Sequence, residues 1–137
     1  MDAATLKALK GSIAKWKKNA VAKHPDRFLT SIRACPLCDL FYNQDWHRNE
    51  AAEKECCTGC PVFKKTKEKR CQNTPYEKAV KTQNVWEGAF EDEYFYGGGT
   101  RVALERASNH AARAHKDALA EVKFLESLLP KPERKKT

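Results

Sequence analysis

Six cysteines fall between residues 35 and 71 of a 137-residue chain, and their spacing constrains the fold more than any other feature. Cys35-Pro36-Leu37-Cys38 and Cys57-Thr58-Gly59-Cys60 are two Cys-x-x-Cys pairs separated by 18 residues. That interval lies within the pattern of zinc sites built from two such pairs. Two intervening residues let a tight turn aim both sulfurs at one ion, and two turns complete a tetrahedron of Zn–S bonds. The expected cofactor is therefore Zn(2+). Six thiols compete for four places. Adjacent Cys56 and Cys57 are poorly placed to share one ion, and Cys57 gives the better spacing. Cys71 can replace Cys57, so Cys35/Cys38/Cys57/Cys60 and Cys35/Cys38/Cys60/Cys71 both stay open. An iron–sulfur cluster also takes thiolates, and Cys60-Pro61 matches the Cys-Pro ending of some cluster motifs, but the short cysteine run of the common ferredoxins is missing. A redox dithiol would need a βαβ pattern, which is absent. Disulfides would need an oxidising compartment, for which nothing argues.

The residues around the cysteines say why a metal is needed. Residues 34–73 show little periodicity and read as a loop-rich region with scattered aromatics at Phe41, Tyr42, Trp46 and Phe63. Burial alone does not order such a stretch; a metal clip does. Helices flank it. Leu6, Leu9, Ile13, Trp16 and Ala20 form one stripe of a helix over residues 3–23, with most lysines off the stripe, and Pro25 stops it. A short helical turn is expected over 26–33. Thr74, Pro75 and Glu77 supply a cap, a first helical residue and a capping-box carboxylate for a helix running to about Glu91, with Gly88 inside it. Gly97-Gly98-Gly99 is a flexible break. Leu104, Ala107, Ala111, Ala114, Ala118, Val122, Leu125 and Leu129 then keep a helical step from 101 to 129, a span of about 43 Å. The expected fold is mainly α: a small single domain over 1–137, with N- and C-terminal helices packed together and a zinc-clipped cysteine-rich loop region between. Within it, 1–24 is the N-terminal helix, 34–73 the zinc-binding region, 74–130 the helical part and 131–137 a mobile basic tail.

The charge balance of 26 basic against 18 acidic residues leaves +8. Such an excess favours polyanionic partners, either nucleic acid or an acidic protein surface. Lys64, Lys65, Lys67, Lys69 and Arg70 against Glu68 give a local +4 beside the second cysteine pair. This segment is the expected nucleic-acid-binding surface, with Phe41, Tyr42 and Trp46 available to stack on unpaired bases. No recognition-helix motif is identifiable, so sequence-specific reading is unsupported. The alternative is a protein-interaction module that engages a host or phage protein through the acidic cluster at 87–93 and the aromatic run Tyr94, Phe95 and Tyr96. A third reading, a metal-dependent nuclease using His47, lacks the partner histidine and asparagine spacing. His110 and His115 stand five apart, not four, and do not share a helical face. Four thiolates leave no open coordination position, so no zinc-centred catalysis and no small-molecule substrate are expected. The N-terminus lacks a signal peptide's apolar stretch, and no apolar run approaches the ~20 residues that span a bilayer. A cytoplasmic protein without membrane partners is expected.

The string CPLC, then CTGCPV, a basic stretch, Cys71 and TPYEKA, together with FLESLLP at Phe124–Pro130, resembles a family of small uncharacterised proteins encoded by tailed bacteriophages. The resemblance covers about residues 34–80 and 121–130. It implies a zinc-binding phage accessory protein acting in the host cytoplasm. Cys35, Cys38, Cys57, Cys60 and Cys71 match recurring positions of that pattern, and Cys56 is extra to it.

Overall fold

Asp2 opens the first helix, its carboxylate accepting the Thr5 amide at 2.7 Å. That contact holds the carboxyl below its ordinary pKa. The helix, α1 (Ala3–Asn19), buries Leu9, Ile13 and Trp16, and the predicted apolar stripe is its inner face. It ends at Asn19 rather than at residue 23. The reason is the Asn19 side chain, which takes the Leu29 amide and gives to the Leu29 carbonyl, both at 2.9 Å. A side chain used in that way fixes the returning strand of backbone and breaks the helix. The helical turn expected over 26–33 contracts to a 3-10 turn, Pro25–Arg27, after which Phe28 enters the core.

The computed structural model describes residues 1–31, 35–42, 47–91 and 101–131, and for 101–104 the backbone alone. Among the described residues there is no β-strand. The remaining helices are α2 (Pro36–Phe41), α3 (Glu50–Glu55), α4 (Pro61–Thr66), a 3-10 turn (Lys69–Cys71), α5 (Pro75–Glu91) and α6 (Arg101–Glu126). The helix α5 begins where predicted, with the Thr74 hydroxyl accepting the Tyr76 amide at 3.3 Å, and it runs through Gly88 unbroken. After α6, turn hydrogen bonds carry the chain on to Leu129.

Packing follows from small residues on α6. Ala114 and Ala118 are wholly buried, so α6 lies close against both α5 and α1, which are its main neighbours. Aromatic edges join the elements: Trp16 meets Phe28 and Tyr76 at centroid distances of 5.8 and 6.0 Å, and Phe28 meets Trp86 at 6.2 Å. Edge-to-face pairs of this kind add stability beyond their buried area. His115 on α6 closes the chain of rings against Trp86 and contacts the Ala22 carbonyl through Nε2 at 2.5 Å. The N- and C-terminal helices thus pack together in one small helical domain.

The cysteine-rich region departs from the loop expected. Among its described residues are three α-helices of six residues each, α2, α3 and α4, and a 3-10 turn at Lys69–Cys71. Two of them start on Cys-Pro, with Cys35 and Cys60 as N-caps and Pro36 and Pro61 at the first helical position. Asn49 caps α3 by accepting the Ala52 amide at 2.8 Å. Fewer than two turns cannot display a 3.6-residue period, so these helices left no pattern to read. The triple glycine, Trp46, the acidic pair Asp92 and Glu93 and the aromatic run Tyr94, Phe95 and Tyr96 lie outside the described residues, as does the basic tail beyond Lys131.

Candidate metal centre

The two Cys-x-x-Cys pairs are brought together by backbone and ring contacts. The Cys57 amide donates to the Phe41 carbonyl at 2.8 Å, tying the end of α2 to the start of the second pair. The Phe41 ring then lies over Gly59, where a Cβ would come within 2.7 Å of Cε1. Only glycine permits that approach. On the other side, α1 seats α2: Gly11 leaves room for the Pro36 ring, and the buried Ser12 hydroxyl stands 3.5 Å from the Cys35 sulfur while accepting the Leu37 amide at 3.4 Å.

These contacts place Cys35, Cys38, Cys57, Cys60 and Cys71 around one cavity of about 60 Å³. Cys56 does not line it; that thiol is fully buried, with its sulfur 3.4 Å from the Cys57 sulfur. All six cysteines are free thiols. The five that share the cavity are the five the sequence singles out. They surround a common space without being drawn in to ligating distance: among the described residues no three His, Cys, Asp or Glu side chains form a metal-holding group.

Electrostatics shows how closely the sulfurs sense one another. Burial pushes the Cys57 thiol up to about 11, against the Arg70 amide, and it raises Cys60 and Cys71 as well. Cys71 is raised further by Cys60, Glu121, Cys35 and Cys57. Cys35 and Cys38 behave as a pair. The Cys38 thiol donates to Cys35 and lowers it, helped by Ser12, the Cys38 amide and Lys15, while Cys38 itself is raised. The amides of Val62 and Phe63 turn toward the Cys60 sulfur and favour its thiolate, without closing a full capping hydrogen bond. Thiols that resist ionisation because other thiols crowd a low-dielectric space lose that resistance to a divalent cation, which deprotonates coordinating sulfur outright.

The backbone around the cavity is also unusual. Cys57, Lys67, Arg70, Cys71 and Asn73 all have φ between 57° and 69°. Lys67 terminates α4 in the left-handed region, and asparagine tolerates that region well. No such reason covers Cys57, Arg70 and Cys71, each of which costs on the order of 1–2 kcal/mol. Left-handed backbone at two of the five cysteines is strain held where the cavity is.

The donor set fits a thiophilic ion. Four soft sulfurs make a closed zinc site, and a fifth remains. Two polar atoms of the same wall, Lys15 Nζ and Glu121 Oε2, are buried without a hydrogen-bond partner. In the sequence most lysines of α1 fall off its apolar stripe, and nothing singles out Lys15 or Glu121.

The other predicted residues divide. Lys64, Lys65 and Lys67 are exposed. Lys69 and Arg70 are half-buried and turn back on α3, Lys69 donating to the Glu53 carbonyl and Arg70 pairing with the Glu53 carboxylate at 3.6 Å. Those two fasten the segment rather than face outward. His47 is exposed and does not line the cysteine cavity. Among the described residues no helix is long and apolar enough to cross a membrane. No protein-family model, no curated protein and no solved structure matches the chain.

Proposed function

We propose that this protein is a zinc-stapled helical module that binds nucleic acid through a lysine surface held by the staple. The observation that carries the reading is that five of its six cysteines surround a single cavity. Cys35, Cys38 and Cys60 would hold the ion together with Cys57 or Cys71. The metal would supply cross-linking: in finger peptides a structural zinc contributes on the order of 10–16 kcal/mol of apparent binding energy. A site of four thiolates keeps no position for water or substrate, so the role is structural and not enzymatic.

The nucleic-acid half of the reading rests on charge and its placement. Lys64, Lys65 and Lys67 project from the end of α4, directly after Cys60. Lys64 is close enough to act on the Asp2 carboxylate, so the start of α1 and the end of α4 share one end of the molecule. Exposed Lys7 and Lys10 on α1 extend the positive surface there. Acidic proteins remain a weaker match, since three clustered lysines suit evenly spaced phosphates. Joined to the resemblance to phage accessory proteins, which supplies no mechanism of its own, this reading sets the chain to work in an infected cell.

Elemental analysis and oligonucleotide binding test the two halves. The purified chain should carry one zinc per molecule, and should bind a fluorescent single-stranded oligonucleotide at low salt. Changing Lys64, Lys65 and Lys67 together to Glu should abolish binding and leave the zinc content at one. A chain with full zinc and no affinity for oligonucleotides refutes the nucleic-acid half alone.

A further inference from the structure

Two ionisable side chains of the cavity wall each carry a buried polar atom with no hydrogen-bond partner. Lys15 Nζ comes from α1 and Glu121 Oε2 from α6; both atoms are shut off from solvent, and neither hydrogen-bonds the other or anything else. Glu121 as a residue is 3% exposed. Burial, and then Cys35, push the Glu121 carboxyl up to about 7 against Lys15 and the Tyr76 amide, whereas a buried ammonium with unfilled hydrogen-bonding capacity is unfavourable and calls for a partner. The ammonium stands over the face of Trp16, 5.1 Å from the ring centroid. Lys15 lines the same cavity as Cys35 and Cys38, and Ser12 on the same helix stands 3.5 Å from the Cys35 sulfur, so α1 brings the ammonium to the side of the first cysteine pair.

The proposed zinc centre changes what Lys15 sees. One divalent cation with four thiolates has net charge −2, and in a buried site that charge needs a counter-charge. We propose that Lys15 is the counter-charge of the metal–thiolate centre, its ammonium standing against the sulfurs of Cys35 and Cys38. This assignment rests on the zinc reading and adds to it a residue outside every cysteine motif. Ser12, three positions earlier on the same helix, already reaches the Cys35 sulfur. The helix α1 therefore brings two polar groups to one corner of the site and is coupled to the metal without supplying a ligand. Glu121, on the same wall, acts in the opposite sense: burial and Cys35 push its carboxyl up to about 7, and any negative charge it keeps repels thiolates. The rival account makes Lys15 merely the ion partner of Glu121, serving the fold with or without metal.

Three variants of the full chain separate the accounts: Lys15→Met, which keeps length and removes charge; Lys15→Arg, which keeps charge; and Glu121→Gln. Metal affinity is read by competition with a chelator for Zn(2+), and by the sulfur-to-metal charge-transfer band on titration with Co(2+). Thermal unfolding is followed with and without metal. Lys15→Met should weaken metal binding about tenfold or more, Lys15→Arg should stay within about threefold, and Glu121→Gln should bind as tightly as the parent or tighter. Without metal, Lys15→Met should be as stable as the parent or more so, because it removes an unpaired buried charge. Parent-like metal affinity in Lys15→Met, alongside a parent charge-transfer band, overturns the assignment and leaves the zinc centre standing. Equal destabilisation of Lys15→Met with and without metal, or failure of that variant to fold, also overturns it, since Lys15 then serves the fold. A parent chain that binds neither metal takes both ideas down together.

Discussion

A Cβ built on Gly59 would lie 2.7 Å from Cε1 and 2.9 Å from Cδ1 of Phe41, and the Phe41 backbone is itself held by the Cys57 amide. The ring cannot retreat without pulling the two cysteine pairs apart. Gly59→Ala should therefore cost about 1–3 kcal/mol in denaturant unfolding and should weaken zinc retention. At Gly88 a Cβ would meet nothing within 4 Å, and the position is mid-helix in α5. There the same substitution should stabilise the chain by about 0.5–1 kcal/mol, the ordinary difference between alanine and glycine in a helix interior. Opposite signs from one chemical change isolate the role of the Phe41 contact. The cysteines can be sorted the same way. Cys56 lies outside the cavity, so Cys56→Ala should keep one zinc per chain. Serine at Cys35, Cys38 or Cys60 should lose it. Of Cys57 and Cys71, the one whose replacement by serine spares the metal is the surplus thiol, and loss of zinc from the Cys56 variant would contradict the assignment of donors.

Long elements announce themselves and short ones do not. The stripe of Leu9, Ile13 and Trp16 and the buried series Ala114, Ala118, Val122 and Leu125 repeat often enough to reveal α1 and α6 in the amino-acid order alone. Thr74-Pro75 marked the start of α5 because capping chemistry is local. The helices α2, α3 and α4, six residues each, carry no such repetition and were read as loop. At the candidate site the donors were legible, since Cys-x-x-Cys spacing is a local rule. The inward turn of Lys15 and Glu121 was not, because it depends on where α1 and α6 meet, which no local pattern encodes. The inward turn of Lys69 and Arg70 toward Glu53 was hidden for the same reason. This division predicts how the molecule responds to chelation. The contact of α5 with α6 is made by groups such as Ala79, Trp86, Ala114 and Ala118 and contains no sulfur. Among the described residues of 35–73 the buried aliphatic side chains are Leu37, Ala52, Pro61 and Val62, and on the proposed reading the metal orders the rest. Stripping the metal should therefore abolish amide-exchange protection in α2 and α4 while α5 and α6 keep most of theirs. Protection lost uniformly along the chain would mean that the staple and the helical core form one cooperative unit.

At the scale of the whole molecule, the +8 charge and the staple make a joint prediction about salt. Binding of a cationic surface to single-stranded nucleic acid releases about 0.7 counterion per phosphate neutralised, which sets the slope of log affinity against log salt. If Lys64, Lys65 and Lys67 each engage one phosphate, neutralising them to alanine together should flatten that slope by about 2. Lys18, at the far end of α1, is exposed too, but it stands about 20 Å or more along the helix from the Asp2 end that Lys64 approaches. Lys18→Ala should leave the slope nearly unchanged. Cys60 stands immediately before α4, and on the proposed reading its anchoring by the metal holds the three lysines in position. Chelation should therefore weaken binding at low salt, and adding back one equivalent of zinc should restore both affinity and slope. A non-specific cationic coat would behave differently: every lysine would count alike, and removing the metal would leave the slope where it was. Fluorescence anisotropy across a salt series, run on the parent, the triple variant and the Lys18 variant with and without chelator, decides between a surface organised by the staple and charge that is merely abundant.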